Sequence, residues 1–228
     1  MLNPETTTPK ISKKNTEKMT AFVDLALEFN KTHNIFARKE PKEVFERDVF
    51  DCLPLISEIS DKKSVLDLGS GGGFPGIIIG ILRPNNKVHL VESSNKKCYF
   101  LKKTISELAL KNTKVINTNL NKDNEIGKFD IITARAFAST EKIINITKNN
   151  TKPSTKYLLL KGTIKKTMEE IGALNKNQYS YKIINQDTKE RERNIAIITT
   201  KWIQKKILKT ANLKNIIVVQ QAKLLKSS

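Results

Sequence analysis

Apolar residues along this 228-residue chain switch from one period to another near residue 64. Over residues 19–30, Phe22, Val23, Ala26, Leu27 and Phe29 recur at helical spacing. A second helical stretch starts near Pro41, a residue suited to a first helical turn because its missing N–H would find no intrahelical acceptor there. It continues through Val44, Phe45, Val49, Phe50 and Leu53. Short apolar runs then predict strands at Ser64–Leu68, 88–92, 114–117, 129–133 and 156–160. Helices are predicted over Gly76–Leu82, 94–110 and 163–174, with Tyr99, Leu101, Ile105, Leu108 and Ala109 as apolar positions of the middle one. The runs at 179–184 and Asn194–Thr200 have no helix between them and predict an antiparallel edge. Alternation of this kind implies an α/β fold, a mostly parallel sheet with helices on both faces. Residues 1–18 read as a flexible tail, 19–60 as N-terminal helices, 61–202 as the α/β domain and 203–228 as a basic C-terminal tail.

The junction of the first strand with its helix reads VLDLGSGGGFPG. Gly69, Gly71 and Gly73 leave the backbone open to a ligand, because a β-carbon would block that approach and positive φ angles are expected. Gly71, Gly73 and Gly76 also have dinucleotide spacing, so NAD and S-adenosylmethionine both compete for the turn. Asp67 favours the second, since a carboxylate there would repel a pyrophosphate but suit a cationic amino-acid end. Glu92 ends the next strand, where an acidic side chain accepts from ribose hydroxyls. An S-adenosylmethionine-dependent methyltransferase is therefore expected.

The formal charge of +18 changes the picture of the partner. A basic domain suits a polyanion, most often a nucleic acid, although the lysines are spread so evenly that no patch can be drawn from sequence. Cys52 and Cys98 are far apart, and His33 and His89 are isolated, so neither a disulfide nor a metal site is expected. No apolar run reaches the ~18 residues of a membrane span, and the first residues lack a signal-peptide core. A cytoplasmic monomer is the expectation.

The segments Asp67–Gly76, Arg135-Ala136-Phe137-Ala138 and Leu160-Lys161-Gly162, in that order, closely resemble the bacterial small-subunit ribosomal RNA guanine-N7 methyltransferases, also called glucose-inhibited division protein B. Asn34-Ile35 and residues 47–51 look like that family's N-terminal helices. The resemblance implies a class I methyltransferase (Rossmann-like) fold with a seven-stranded sheet and an N-terminal helical extension. It implies S-adenosylmethionine as cofactor and 16S ribosomal RNA, within the small subunit or an assembly intermediate, as partner. By position, Gly69 and Phe74 would contact the cofactor, Leu120 and Asn121 would flank its adenine, and Arg135 would lie between cofactor and substrate. Lys161 would face the same cleft. The chain departs from the family at Asn119-Leu120-Asn121, where Arg-Ala-Glu is usual, at Asp48 for His, and at Cys52 for Ser.

Guanine N7 carries a free lone pair, so its methylation asks for alignment rather than a base. Arg135 and Lys161 are expected to hold the guanine O6 or a phosphate by charge-assisted hydrogen bonds. Phe74 or Phe137 can stack on an unpaired base or belong to the core. Two alternatives stand beside this reading: an NAD(P)-dependent oxidoreductase, and a non-catalytic RNA-binding module with a degenerate cofactor site.

Overall fold

The computed structural model describes residues 11–186 and 191–201. Helix α1 (Lys13–His33) begins where the Ser12 hydroxyl accepts the Asn15 N–H and ends at Asn34, which adopts the left-handed conformation. Met19, Phe22, Val23 and Ala26 form its buried stripe. The helix therefore starts inside the stretch expected to be a loose tail. Two contacts account for this: the Ser12 cap, and the Lys18 ammonium, which donates to the Leu108 carbonyl at 2.7 Å. Residues 1–10 and the expected 203–228 tail lie outside the described residues. Next come α2 (Pro41–Val44), a π-helical turn (Phe45–Val49) and α3 (Phe50–Ser57).

Strands β1 (Ser64–Leu68), β2 (Lys87–Glu92), β3 (Thr113–Asn117), β4 (Phe129–Arg135), β5 (Thr151–Lys161), β6 (Tyr179–Asn185) and β7 (Asn194–Thr200) form one sheet in the order β3-β2-β1-β4-β5-β7-β6. The first five pair in parallel, and β7 runs antiparallel to both β5 and β6. The final pair is antiparallel as its short connection requires, but the last strand in sequence lies inside and β6 takes the edge. Four helices, α4 (Gly76–Leu82), α5 (Asn95–Glu107), α6 (Thr140–Ile146) and α7 (Ile164–Gly172), connect the strands. Helix α6 has no counterpart in the sequence pattern. It is short, held by its Ser139 cap, and Ile143 is its one buried large apolar residue, too little to show a period.

Successive side chains of a strand point to opposite faces, and the core divides accordingly. Val65, Leu158 and Leu160 join the layer under α1, α3, α4 and α5, while Leu66, Leu68, Tyr157 and Leu159 join the layer under α6 and α7. This explains why the strands read as continuous apolar runs rather than as alternations. In α5 Leu101, Ile105 and Leu108 face the core as expected, but Phe100 is buried in place of Tyr99, which is 63% exposed. Ala109 lies beyond the helix with φ 48°.

Helix α4 approaches the sheet so closely that a β-carbon on Gly80 would strike the Thr113 hydroxyl. Gly80→Ala is expected to lower stability by ~1–3 kcal/mol through overpacking, despite its better helix propensity. Gly172→Ala, in α7 where a β-carbon meets nothing within 4 Å, is expected to leave stability unchanged or raise it by up to ~1 kcal/mol. Urea unfolding midpoints of the two variants check this.

Candidate active site

The connections run from β1 outward through β2 and β3 on one side, and through β4 and β5 on the other. Such a reversal leaves a crevice at the carboxyl ends of the central strands, where ligands of open α/β sheets bind. The glycine turn lies there. Gly69, Gly71 and Gly73 have φ of 62°, 55° and 95°, values that side-chain-bearing residues rarely adopt. Ser70 N–H donates to the Val91 carbonyl at 3.1 Å, and Gly73 N–H to the Ser70 carbonyl at 2.7 Å, so the turn is held to β2 as well as to itself. Glu92 completes it: one carboxylate oxygen accepts the Gly71 N–H at 2.9 Å, and the other accepts Ser93 N–H and Ser94 N–H. The acid predicted for ribose recognition is thus fixed at the rim of the turn.

Asp67 is fully buried beneath this turn, on the side of β1 that faces α4. Neither of its carboxylate oxygens has a well-aligned hydrogen-bond partner among the described residues. The Ser70 hydroxyl and the Gly76 amide are near enough to ease its charge, but burial outweighs them and pushes its pKa up to about 7. An unpartnered acid beneath a glycine cradle is a site in want of a cation or donor. This fits the amino-acid end expected of the cofactor.

Arg135 ends β4, and its Nη1 donates to Asp48 Oδ1 at 2.6 Å. Its guanidinium also lies 5.0 Å from the centre of the Phe74 ring. Phe74 itself is only 3% exposed and packs on Phe22 at a centroid distance of 4.9 Å. Its ring therefore supports Arg135 from the core, leaving the Phe74 backbone as the part that borders the turn. Arg38 Nε approaches Asp48 Oδ2 at 3.4 Å, an ion-pair distance without hydrogen-bond alignment. Asp48 comes from the π-helical turn, a local irregularity common at functional sites.

Lys161 lies across the cleft, but its ammonium is occupied: it donates to Glu170 at 2.7 Å and to the Ala138 carbonyl at 3.3 Å. Glu170 also accepts both the N–H and the hydroxyl of Thr140. Lys161, expected from sequence to face the substrate, ties the Arg135–Ala138 segment to β5 and α7 through these two contacts. Within that segment Ala136 has φ 51°, and the 41%-exposed Phe137 ring lies against the Cα of Gly69. A cleft of ≈ 680 Å³ opens between these elements, bordered by Arg38, Arg47, Arg135, Phe137, Lys166 and Arg193.

Leu120 and Asn121 follow β3 on the same edge of the sheet. Leu120 packs on the apolar layer under α6 and α7. The Asn121 side chain accepts Asp123 N–H at 3.0 Å, so it shapes its own loop. Sequence reasoning assigned no role to Asp48, Arg38 or Glu170. For Asp48 a signal existed: it falls four residues from Val44 and from Cys52, on an apolar helical face where an acid needs a partner. Its closest partner, Arg135, comes from a distant segment and left no such trace.

The family described as rRNA small subunit methyltransferase G matches residues 15–198 of the chain. A ribosomal RNA small subunit methyltransferase G from Brachyspira hyodysenteriae is 34% identical over 192 residues, covering 83% of this chain and 93% of the relative. The protein of that name from Acinetobacter baylyi is 34% identical, over 72% of this chain and 76% of the relative. Among solved structures, a putative O-methyltransferase from Klebsiella pneumoniae aligns with a TM-score of 0.57 at 13% identity, covering 78% of this chain and 89% of that one. A SAM dependent methyltransferase from Aquifex aeolicus aligns with a TM-score of 0.53 at 13% identity, covering 68% and 92%. At that identity the structural likeness shows the fold alone, a Rossmann-like class I methyltransferase architecture.

Keeping Asp67 neutral contributes stability that is full below the ordinary aspartate pKa of ~3.9. That stability is lost as pH rises through about 7, because the native state then holds a proton the unfolded chain has released. Urea unfolding of the ligand-free protein is expected to show stability falling over this window, relative to Asp67→Asn. Parallel pH profiles for the two proteins would exclude the assignment.

Proposed function

The chain belongs to the rRNA small subunit methyltransferase G family, and on that footing we propose that it methylates N7 of a guanine in 16S ribosomal RNA, with S-adenosylmethionine as methyl donor. The observation that carries this reading is the glycine cradle over the unpartnered Asp67, opening beside a cleft bordered by cationic side chains. Asp67, Gly69, Gly71 and Glu92, with the backbone at Phe74, are the groups that would hold the cofactor; Leu120 and Asn121 would border its adenine. When bound, S-adenosylmethionine supplies an electrophilic methyl group.

The chain's own residues align the base. Guanine N7 presents its lone pair without losing a proton, so no side chain has to act as a base. Arg135 is the residue placed to touch the substrate: one nitrogen is held by Asp48, and the remaining N–H groups can meet guanine O6 or a phosphate. Phe137, exposed at the junction of cleft and glycine turn, offers its face to an unpaired base. Lys161 and Glu170 keep that loop in place. Asp67 disfavours the oxidoreductase alternative, since a pyrophosphate over this turn would face a buried acid. The substrate is proposed to be the small subunit or an assembly intermediate in the cytoplasm, met by the protein as a monomer.

Arg135→Ala is expected to lower turnover by about 100-fold or more, as losing an oriented charge contact does at a reacting centre, while S-adenosylmethionine still binds. Asp48→Asn keeps the shape but weakens the grip on Arg135, and is expected to lower turnover about tenfold. Methyl transfer to small ribosomal subunits from cells lacking the gene, read by strand cleavage selective for N7-methylguanine, tests both. Wild-type turnover in Arg135→Ala would remove it from the mechanism, and the absence of any new N7-methylguanine would remove the proposed reaction.

A further inference from the structure

The lysines that showed no pattern in sequence acquire one on α5. This helix carries four lysines and a single glutamate. Lys96, Tyr99 and Lys103 are exposed and stand at i, i+3 and i+7, which places them in one stripe along the helix. Tyr99 is more exposed than any other large apolar or aromatic side chain of the described residues, at 63%. It is not isolated. Its ring lies 6.2 Å from Phe29 of α1 with an interplanar angle of 33°, Phe29 lies 4.1 Å from His33, and a groove of ≈ 210 Å³ runs beside them, bordered by Leu25, Thr32 and Lys103. The acids beside this stripe include Glu28, ion-paired with Lys31 at 2.6 Å and held below its usual pKa by Lys31 and, more weakly, by Lys103, and the exposed Glu107 one turn beyond Lys103. The stripe begins within one turn of Ser94, whose N–H donates to Glu92 at the rim of the glycine turn. At ~1.5 Å per residue it extends ~10 Å from there.

From this arrangement we infer a second RNA-binding surface: the α1–α5 face takes a single-stranded segment of the substrate RNA, with a base stacked on Tyr99 and phosphates held by Lys96 and Lys103. This rests on the RNA reading above but not on methyl transfer. Cations flanking an exposed ring, in a helix almost free of acids, suit a strand whose backbone is anionic and whose bases offer flat faces. A protein partner would gain the ring but would need an acidic patch to match the lysines. Aromatic stacking is indifferent to base identity, so the surface would anchor flanking RNA without reading its sequence.

The test uses the full chain and a short, unstructured, fluorescently labelled oligoribonucleotide without guanine, which cannot be a substrate for N7 methylation. Binding is measured by anisotropy over a range of salt. Tyr99→Ala is expected to weaken binding about tenfold with little change in salt slope, and Tyr99→Phe to restore it. Lys96→Ala with Lys103→Ala is expected to make the slope shallower by about 1.4, that is ~0.7 for each of two phosphates. S-adenosylmethionine affinity, measured by calorimetry, should be unchanged in all variants, which shows that the fold is intact. Affinity within twofold of wild type in Tyr99→Ala, or an unchanged slope in the lysine variant, would overturn the proposal. So would competition by polyglutamate that matches RNA and ignores Tyr99, the behaviour of a basic protein-docking patch. Absence of methyl transfer by the wild-type protein, with these binding changes present, would instead count against the reaction proposed above and leave the surface standing.

Discussion

Helix α4 rests on the sheet at a separation that leaves no room for β-carbons, and the site depends on that approach. Gly76 and Gly80 are one helical turn apart on the same face. A β-carbon on Gly76 would meet Leu90 and the Asp67 carboxylate, and one on Gly80 would meet Thr113. Close packing here carries the glycine turn directly over the end of β1. It also seals Asp67 from water without giving it a well-aligned donor. A buried acid pushed up to about 7 is costly to keep, and it makes the pocket receptive to positive charge. The same contact that stabilises the helix–sheet layer therefore prepares the chemistry of the cradle.

A second constraint is electrostatic. In a chain of charge +18, the cations around the cleft are held apart by a few carboxylates. Asp48 takes Arg135 and Arg38, Asp51 takes Arg191 and Arg193, and Glu170 takes Lys161. Asp48–Arg135 and the Asp51 pairs join segments distant in sequence, the N-terminal helices to β4 and to the β6–β7 hairpin, whereas Lys161–Glu170 ties the end of β5 to the adjacent α7 and Arg38–Asp48 is local to the N-terminal segment. The N-terminal helices are thus part of the wall of the cleft, not an appendage to the α/β domain. Asp48 is nearly buried, so removing both of its partners would leave an uncompensated charge, a change that typically costs ~3–5 kcal/mol, whereas without Arg135 alone it keeps Arg38 beside it. The pairs give the cleft a fixed shape while leaving N–H groups of Arg135 available.

The fold class was legible because its signals are local. Continuous apolar runs mark strands buried on both faces, the glycine turn marks the first strand-to-helix junction, and a short final connection marks an antiparallel pair. Helix α6 escaped because one buried isoleucine makes no period, and α1 was read too short because its first turn is held by a cap and a distant carbonyl. The glycines and Glu92 were legible for the same local reason: backbone conformation and strand-end position belong to the sequence around them.

The sequence by itself determined the alternation of elements, the glycine cradle, the acid at each of two strand ends and the family. Only the tertiary structure decided which way Phe74 and Phe137 face, that Lys161 is held by Glu170 while Arg135 keeps N–H groups for the cleft, and that Asp48 is the partner of Arg135. It also gathered Lys96, Tyr99 and Lys103 beside Phe29. The reason is range: dihedral preferences and periodicity act over a few residues, whereas the Asp48–Arg135 contact forms only when the N-terminal helices pack against the end of β4, and the Lys161–Glu170 contact only when α7 folds back on the end of β5.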